Sequence, residues 1–362
     1  MNLIEVGYVA NIPYYLAYGF KKLGRRAVLF LPVDISVTYM PLFYGYPING
    51  NPLSVQIHYY KGIDELYQMI IAFLSKERNK DWVIHLNIGA SLKVLHLASR
   101  LLRVRNIRKV FVEFHGSDLR DMNRLKKLVF RLAKTSNKDL LYLCSTPDLL
   151  YYGLPCLYLP NPVDPLFLSN IGKLHRIVSK ENKKVLIPAR IDENKNIHIF
   201  IYRLYQALRG GYLDPRDLKI EIIIWGRRPY IEFVKMILRR FAYLGVEVVL
   251  HNKLLRRSEI LWKMLNSDIV IGQFKLGIIS QIELEALALN KLVIARLNKD
   301  LYLKHEGVIP PIINYDPQYD EDGKQLADIL LATPDISPYG YQYVVRKHLA
   351  EKSALLLASL LD

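Results

Sequence analysis

The segment "SDIVIGQFKLGIISQIELEALALNKLVIA", Ser267–Ala295, reads as a strand, a turn, a helix and a second strand. "DIVIG" and "KLVIA" are short β-branched and aliphatic runs of the kind that form buried strands. Ser280 opens the helix Gln281–Leu289 as its N-cap, and Glu283 falls near N3, as in a capping box. Asn290 ends the helix in the left-handed position usually filled by glycine. Short strands joined through a helix are the crossover unit of a parallel sheet, so this unit, repeated along the chain, points to an α/β fold with a covered parallel sheet. Glu285 is not explained by capping. It lies one turn in, beside Ala286 and Ala288, where a core residue is expected. A carboxylate at the mouth of a strand end can accept both hydroxyls of a ribose.

The same alternation runs through nearly all 362 residues. "NLIEVG", "RAVLFLP", "SVQIHY", "WVIHLN", "KVFVEF" and "LLYLCS" are the strands of a first block. "KKVLIPA", "IEIIIWG", "VEVVLHN", "SDIVIGQF" and "KLVIAR" are those of a second, with amphipathic helical stretches between them. A Pro/Asn turn, "PNPVD", and a polar basic stretch, Ile171–Lys183, separate the blocks. The expectation is two doubly wound, Rossmann-like domains facing a cleft: residues 1–165 and 166–341. Ligands of open parallel sheets bind beyond the carboxyl ends of the strands, so the loops following the strands carry the functional reading.

Half of the residues are hydrophobic and 11% are aromatic, which excludes a disordered chain. No apolar run approaches the roughly 20 residues of a membrane span, and "MNLIEVGYVANIPYYLAYGF" reads as a strand and helix rather than a signal peptide. Cys144 and Cys156 form neither a disulfide framework nor a metal motif. A cytoplasmic protein is expected, without metal or other cofactor. The net charge of +16 favours an anionic partner. Twelve Lys and Arg residues against three acids (Glu113, Asp118 and Asp121) concentrate much of that charge between Arg100 and Lys138.

After "KVLIPA" comes "RIDENKN", in which Arg190 and Lys195 flank a strand-to-helix turn at a spacing that lets two cations converge on a diphosphate. After "IEIIIW" comes "GRRPY", where Gly226 permits a close backbone approach and Arg227 and Arg228 add charge. Neither a G-x-G-x-x-G fingerprint nor a Walker loop is present, which argues against dinucleotide binding and P-loop phosphoryl transfer. After "VFVEF" comes "HGSDLR", which crowds His115, Ser117, Asp118 and Arg120 into one loop. Ser117 and Asp118 also suit a helix cap. Asp320 and Asp322 have D-x-D spacing, but precede a helix whose dipole they favour, so they read as structural. In "DMNRLKKLVFRLA", Asp121–Ala133, Leu125, Leu128, Val129 and Leu132 form the expected core face. Lys127, Arg131 and Lys134 surround Phe130 on the other, a pattern that suits either a solvated face with one stray aromatic or an anionic membrane surface.

On these residues the chain resembles the GT-B-fold glycosyltransferases, in particular the large retaining family 4, over nearly its whole length. "ARIDENKN" is similar to the family's diphosphate-binding element and puts Arg190 and Lys195 in its two places. "LEALALNKLVIA" looks like the family segment whose glutamate holds the nucleotide ribose, here Glu285. "PNPVD" resembles the interdomain turn, and "FHGSDLR" a loop that places His115 near the donor sugar. "GYQYVVRKHLAEKSALLLASLL" is similar to the C-terminal helix that crosses back onto the first domain, here 342–362. "NIPYYLAYGFKKLGRRAVLF" fits the first strand–helix–strand unit, without the usual glycine-rich acceptor loop. One departure stands out. The family's other motif glutamate, eight residues before Glu285, is Gly277, and the intervening glycine-rich turn has become Ile278, Ile279 and Ser280.

The resemblance implies a hexosyltransferase-like enzyme that moves a sugar from a nucleotide-diphosphate sugar with retention and without metal. Arg190, Lys195 and His115 take the catalytic places. Glu285, Gly226, Ser280 and Gln281 bind the donor, the last two through backbone amides near phosphate or sugar. Asp118 and Arg120 lie on the acceptor side. The acceptor itself, glycan, lipid-linked or protein, is left open. Two other readings suit the same residues: a nucleotide-sugar epimerase on this fold, and a non-catalytic basic module for membrane or nucleic acid. Charge clustered beside "HGSDLR", rather than among stacking aromatics, disfavours nucleic acid.

Overall fold

Parallel pairing dominates: every strand pair among the described residues runs in one direction. The computed structural model describes residues 2–7, 12–33, 55–89, 91–163, 183–253, 255–332 and 337–360, excepting the side chains of Ser117, Ser337 and Pro338. Most of the linker expected at Ile171–Lys183, the boundary at 165/166, Asp164 of "PNPVD" and the capping hydroxyl of Ser117 therefore lie outside the described residues. The chain divides into two compact units, Met1–Leu166 with Lys347–Asp362, and Phe167–Arg346.

In the first unit, strands β1 (Asn2–Gly7), β2 (Ala27–Pro32), β3 (Gln56–Tyr60), β4 (Trp82–Asn87), β5 (Ile107–Phe114), β6 (Leu140–Cys144) and β7 (Cys156–Tyr158) form one sheet. Their order is β3-β2-β1-β4-β5-β6-β7. The central strands are apolar because both faces are covered. Ile4, Val6, Ile84, Leu86, Val110 and Val112 pack with the helices Ile63–Lys76, Leu92–Leu101 and Arg124–Ser136. Leu3, Val83 and Phe111 pack on the other face with the helices Ile12–Lys22 and Ala350–Ser359. That last helix inserts Ala354, Leu357 and Ala358 into this core, although it lies at the far end of the chain. Ser353 Oγ donates to Pro160 O at 2.9 Å, and Val163 N donates to His348 O at 2.9 Å, tying the returning segment to the last residues of the sheet unit.

In the second unit, β8 (Lys183–Ile187), β9 (Leu218–Ile223), β10 (Glu247–His251), β11 (Ile269–Ile271), β12 (Leu292–Ala295) and β13 (Ile313–Asn314) stand in the order β10-β9-β8-β11-β12-β13. The reversal of strand order at β8 and β11 defines a switch point, where an open parallel sheet leaves room for a ligand. Phe200 and Phe274 stack below it with ring centres 5.0 Å apart, and Tyr315 meets both edge-on. Asp320 accepts the Tyr315 hydroxyl at 2.7 Å and the amides of Gly323, Gln325 and Leu326. Its carboxylate thus holds the start of the helix Lys324–Ala332, and the D-x-D spacing follows from capping. Among the described residues no cluster of three or more His, Cys, Asp or Glu side chains could hold a metal ion.

The basic helix, Arg124–Ser136, is turned the opposite way from the sequence expectation. Phe130 is fully buried, with ring centres 5.6 Å from Phe114 and 5.6 Å from Tyr142. Leu125, Leu128 and Leu132 face solvent. One large aromatic side chain fills the slot between two aromatics already in the sheet, and that outweighs a stripe of leucines. Phe130 therefore cannot dip into a membrane from this helix.

Candidate active site

The loops that leave β8, β9 and β11 are bound to one another at the carboxyl end of the second sheet. Ile191 forms a parallel bridge with Gly226, its amide donating to Trp225 O at 2.9 Å and its carbonyl accepting from Arg227 N at 3.0 Å. A Cβ on Gly226 would lie 2.1 Å from Ile191 O, so glycine is required there by the neighbouring loop. Arg227 and Glu193 add an ion pair between the same two loops. Phe274 N donates to Lys195 O at 2.9 Å, which brings in the turn after β11.

Within "RIDENKN" the organiser is Asp192, which sequence reasoning passed over. It is buried, and its Oδ1 accepts from the amides of Asn194 (2.9 Å) and Lys195 (3.0 Å). Its Oδ2 pairs with Arg190 Nε. Arg190, 47% exposed, is thereby held at the surface by one edge of its guanidinium. Asn196 then takes a left-handed conformation, φ 54°, at the start of the helix Ile197–Arg209. Arg190 and Lys195 thus share one rigid turn.

The turn preceding the helix Gln281–Ala288 is occupied by its own side chains. The capping box forms: Glu283 Oε2 accepts from Ser280 N at 2.9 Å and from the Ser280 hydroxyl. Glu283 Oε1 also takes the amide of Gln273 at 2.9 Å. Buried Gln273 bridges the turn, donating to Ile278 O at 2.5 Å and accepting from Leu276 N at 2.9 Å, while Tyr302 OH accepts from Ile279 N at 2.6 Å. The Ser280 amide, expected to face phosphate or sugar, here serves Glu283. Gly277 adopts φ 67°, and a Cβ on it would sit 3.1 Å from Asn298 N. The position that the resemblance aligns with a second motif glutamate is therefore a left-handed turn built for glycine.

Glu285 is 1% exposed and forms an ion pair with Arg257, from the first turn of the helix Arg257–Leu265. Burying a carboxylate there without a cation would cost several kcal/mol, on the order of 3–5 when such a pair is broken. Arg257 was not singled out from sequence; the only trace is the basic pair in "LRRSEI", which reads equally well as an exposed helix start.

In the first unit, His115 directly follows β5 and its amide donates to Asp118 Oδ2 at 3.2 Å. Asp118 has its pKa raised, chiefly by burial. Arg120, expected as an acceptor-side cation, is bound structurally instead: its Nε donates to Asp148 Oδ2 at 2.9 Å and its Nη2 lies 2.7 Å from the same oxygen.

Behind His115 lies a buried polar row. Glu5 of β1, His85 of β4 and Glu113 of β5 are all 0% exposed on one face of the sheet. His85 Nδ1 is 3.0 Å from both Glu5 oxygens, and its Nε2 is 3.0 Å from Glu113 Oε2. Asn87 Nδ2 donates to that same Glu113 oxygen at 2.8 Å, and His115 Nε2 approaches it at 3.7 Å. Burial opposes the His85 charge, but the field of Glu5 and the hydrogen bonds that both carboxylates accept from the ring outweigh it and lift its pKa to about 10. Burial pushes Glu5 up to about 7. For Glu113 burial acts upward, yet His115, His85 and Asn87 hold it below its ordinary range. The signal for this row was present: a single ionisable residue interrupts each of "NLIEVG", "WVIHLN" and "VFVEF".

No protein-family model and no curated protein matches the chain. Solved structures do. HepE of Anabaena, in complex with UDP and glucose, is 16% identical, with 100% of this chain and 99% of that one covered, at a TM-score of 0.65. The E. coli trehalose-6-phosphate protein bound with UDP-2-fluoro glucose is 11% identical, with coverages of 100% and 99% and a TM-score of 0.66. Sucrose-phosphate synthase of Thermosynechococcus elongatus is 13% identical, with coverages of 99% and 98% and a TM-score of 0.63. At these identities the likeness is one of fold. The chain has the α/β fold with two Rossmann-like units that is found in the GT-B glycosyltransferases.

Proposed function

We propose that the protein is a glycosyltransferase that takes its sugar from a nucleotide-diphosphate sugar. The observation that carries the reading is the fused set of loops at the switch point of the second sheet. It fixes Arg190 and Lys195 on one turn, with Glu285 buried on the helix that follows β11. The whole-chain likeness to proteins solved with UDP, UDP-2-fluoro glucose or UDP and glucose supports a nucleotide sugar as donor.

In this reading Arg190 and Lys195 take the diphosphate and stabilise the charge that develops on it as the glycosidic bond breaks. Preorganised cations of this kind supply the largest electrostatic share of catalysis. Asp192 holds Arg190 in advance of binding, which lowers the cost of ordering it. Glu285 accepts the ribose hydroxyls once it is released from, or shared with, Arg257. His115 and Asp118 form the acceptor side on the first unit. Retention follows from a front-face route in which the leaving phosphate takes the proton of the acceptor hydroxyl, with charge compensation from these two cations rather than from a metal.

Thermal shift with UDP, GDP, ADP and their sugars tests the donor, since a ligand that binds only the native state raises the melting temperature. At a hundredfold excess over Kd the native state gains about 2.7 kcal/mol. At least one diphosphate is expected to raise the midpoint by several degrees, and Arg190→Ala to abolish the shift while the unliganded midpoint stays within about a degree. No shift with any nucleotide, or an undiminished one in Arg190→Ala, would overturn the assignment.

A second reading is favoured by Gly277: a protein that binds the nucleotide sugar without transferring it. Its turn holds no carboxylate to contact a donor sugar. Incubating the protein with the nucleotide sugar that gives a shift, and analysing the products, separates the two. Release of nucleoside diphosphate marks transfer or hydrolysis, an epimerised nucleotide sugar marks an epimerase, and substrate left unchanged when sugar, lipid and peptide acceptors are also supplied marks binding alone.

A further inference from the structure

The helix Arg124–Ser136 carries two parallel rows that nothing in the glycosyl-transfer reading uses. Leu125, Leu128 and Leu132 repeat at i, i+3 and i+7, and are 71%, 50% and 58% exposed. Arg124, Lys127 and Arg131 repeat at the same interval one residue earlier, so a cationic row runs alongside the apolar one. The helix contains five basic residues, with Lys126 and Lys134, and no acid. Tyr151, 57% exposed, ends the short helical turn Pro147–Tyr151, and the residues after it meet the basic helix: Lys127 Nζ lies 5.5 Å from the Tyr152 ring centre, and Arg131 Nε donates to Gly153 O at 2.6 Å.

A helix whose inner face is secured does not need exposed leucines for folding. Phe130 is anchored between Phe114 and Tyr142, and the Tyr142 hydroxyl donates to Phe130 O at 2.7 Å. Val129 and Ala133 complete the contact with the core. The outer leucines are therefore surplus to the core. Apolar side chains grouped on a surface and bordered by one sign of charge mark an interaction face. A cationic row beside an apolar row matches a bilayer interface, with acyl chains for the leucines and anionic head groups for the bases.

We propose that this face of the helix lies on an anionic lipid surface, with Leu125, Leu128 and Leu132 entering the acyl boundary and Arg124, Lys127 and Arg131 meeting phosphate head groups. Phe130 takes no part in it. The proposal stands apart from glycosyl transfer, and its test needs no substrate.

The full chain is sedimented with vesicles of phosphatidylcholine alone and of phosphatidylcholine with about one-third phosphatidylglycerol. Binding is expected only to the anionic vesicles, and to weaken as salt is raised, because exposed charges are screened. The triple variant Leu125→Gln, Leu128→Gln, Leu132→Gln is expected to lose at least about tenfold in vesicle affinity. Its melting temperature stays unchanged, since the three positions are exposed. Arg124→Gln with Lys127→Gln is expected to lose binding at low salt. Equal binding to neutral and anionic vesicles, or undiminished binding by the leucine variant, would overturn the proposal. So would a dimer abolished by the leucine changes, or binding to a DNA duplex, where the anionic vesicles fail to bind.

Discussion

His85 is a buried imidazole between two buried carboxylates, and its charge is bound to the stability of the first unit. With a folded pKa of about 10 against an ordinary 6.5, it contributes stability fully below about pH 6.5 and loses it as the pH rises through 10. Glu5, lifted to about 7 from 4.5, works in the same direction: its protonated form is favoured by the fold, so stability falls as pH rises through 7. Glu113, held low, acts oppositely, and its contribution is lost only in acid. The melting temperature of the wild type should therefore fall between pH 7 and 10. In His85→Gln the carboxylates lose their cation, so the protein should be less stable at neutral pH and its midpoint should change much less between pH 8 and 10. Scanning calorimetry across that range decides it: parallel slopes in the two proteins would remove His85 as the titrating group. At this scale the sequence was only partly readable. Glu283 and Asn290 could be assigned because capping is local, whereas Arg257 and the Glu5–His85–Glu113 row depend on partners distant in sequence; Asp192 bonds only within its own turn, and its role shows only once that turn is formed.

Elements were legible where both ends and the buried face are set locally. The unit Ser267–Ala295 folds as read, with the amide and hydroxyl of Ser280 both donating to Glu283 and Asn290 at φ 54°. The helix Arg124–Ser136 was read in the wrong phase, because periodicity defines a stripe but not which stripe meets the core. Phe114 and Tyr142 make that choice from the strands on either side, beyond the reach of the helix's own periodicity. The turn at Gly277 joins the two scales. Introducing a carboxylate by Gly277→Glu places a Cβ at φ 67° and 3.1 Å from Asn298 N. A non-glycine residue there costs roughly 1–2 kcal/mol. The variant should melt a few degrees below the wild type and should not gain affinity for a nucleotide sugar over the matching nucleoside diphosphate. A variant as stable as the wild type, with a preference for the sugar form, would show that the turn readily accommodates a carboxylate and that Gly277 is not a structural commitment.

Two separate cores within one chain have a thermodynamic consequence for the whole molecule. One is built around β1, β4 and β5 and completed by Ala354, Leu357 and Ala358; the other is built around Phe200, Phe274 and Tyr315. The alternation of strands and helices made this division readable from sequence. That the C-terminal helix belongs to the first core followed from resemblance, since no local pattern says where a terminal helix docks. If the donor binds where Arg190, Lys195 and Glu285 stand, its binding energy stabilises the second unit first. The three tryptophans allow the units to be followed separately: Trp82 lies in the first, Trp225 and Trp262 in the second. Fluorescence of the Trp82→Phe protein reports the second unit, and that of the Trp225→Phe, Trp262→Phe protein reports the first. A nucleoside diphosphate should raise the midpoint seen by Trp225 and Trp262 by several degrees and move the Trp82 midpoint less. Ending the chain at Lys347 should lower the Trp82 midpoint sharply and leave the nucleotide-dependent rise in the other unit. A larger shift at Trp82 than at Trp225 and Trp262 would instead place the nucleotide on the first unit and remove the donor role from Arg190 and Lys195.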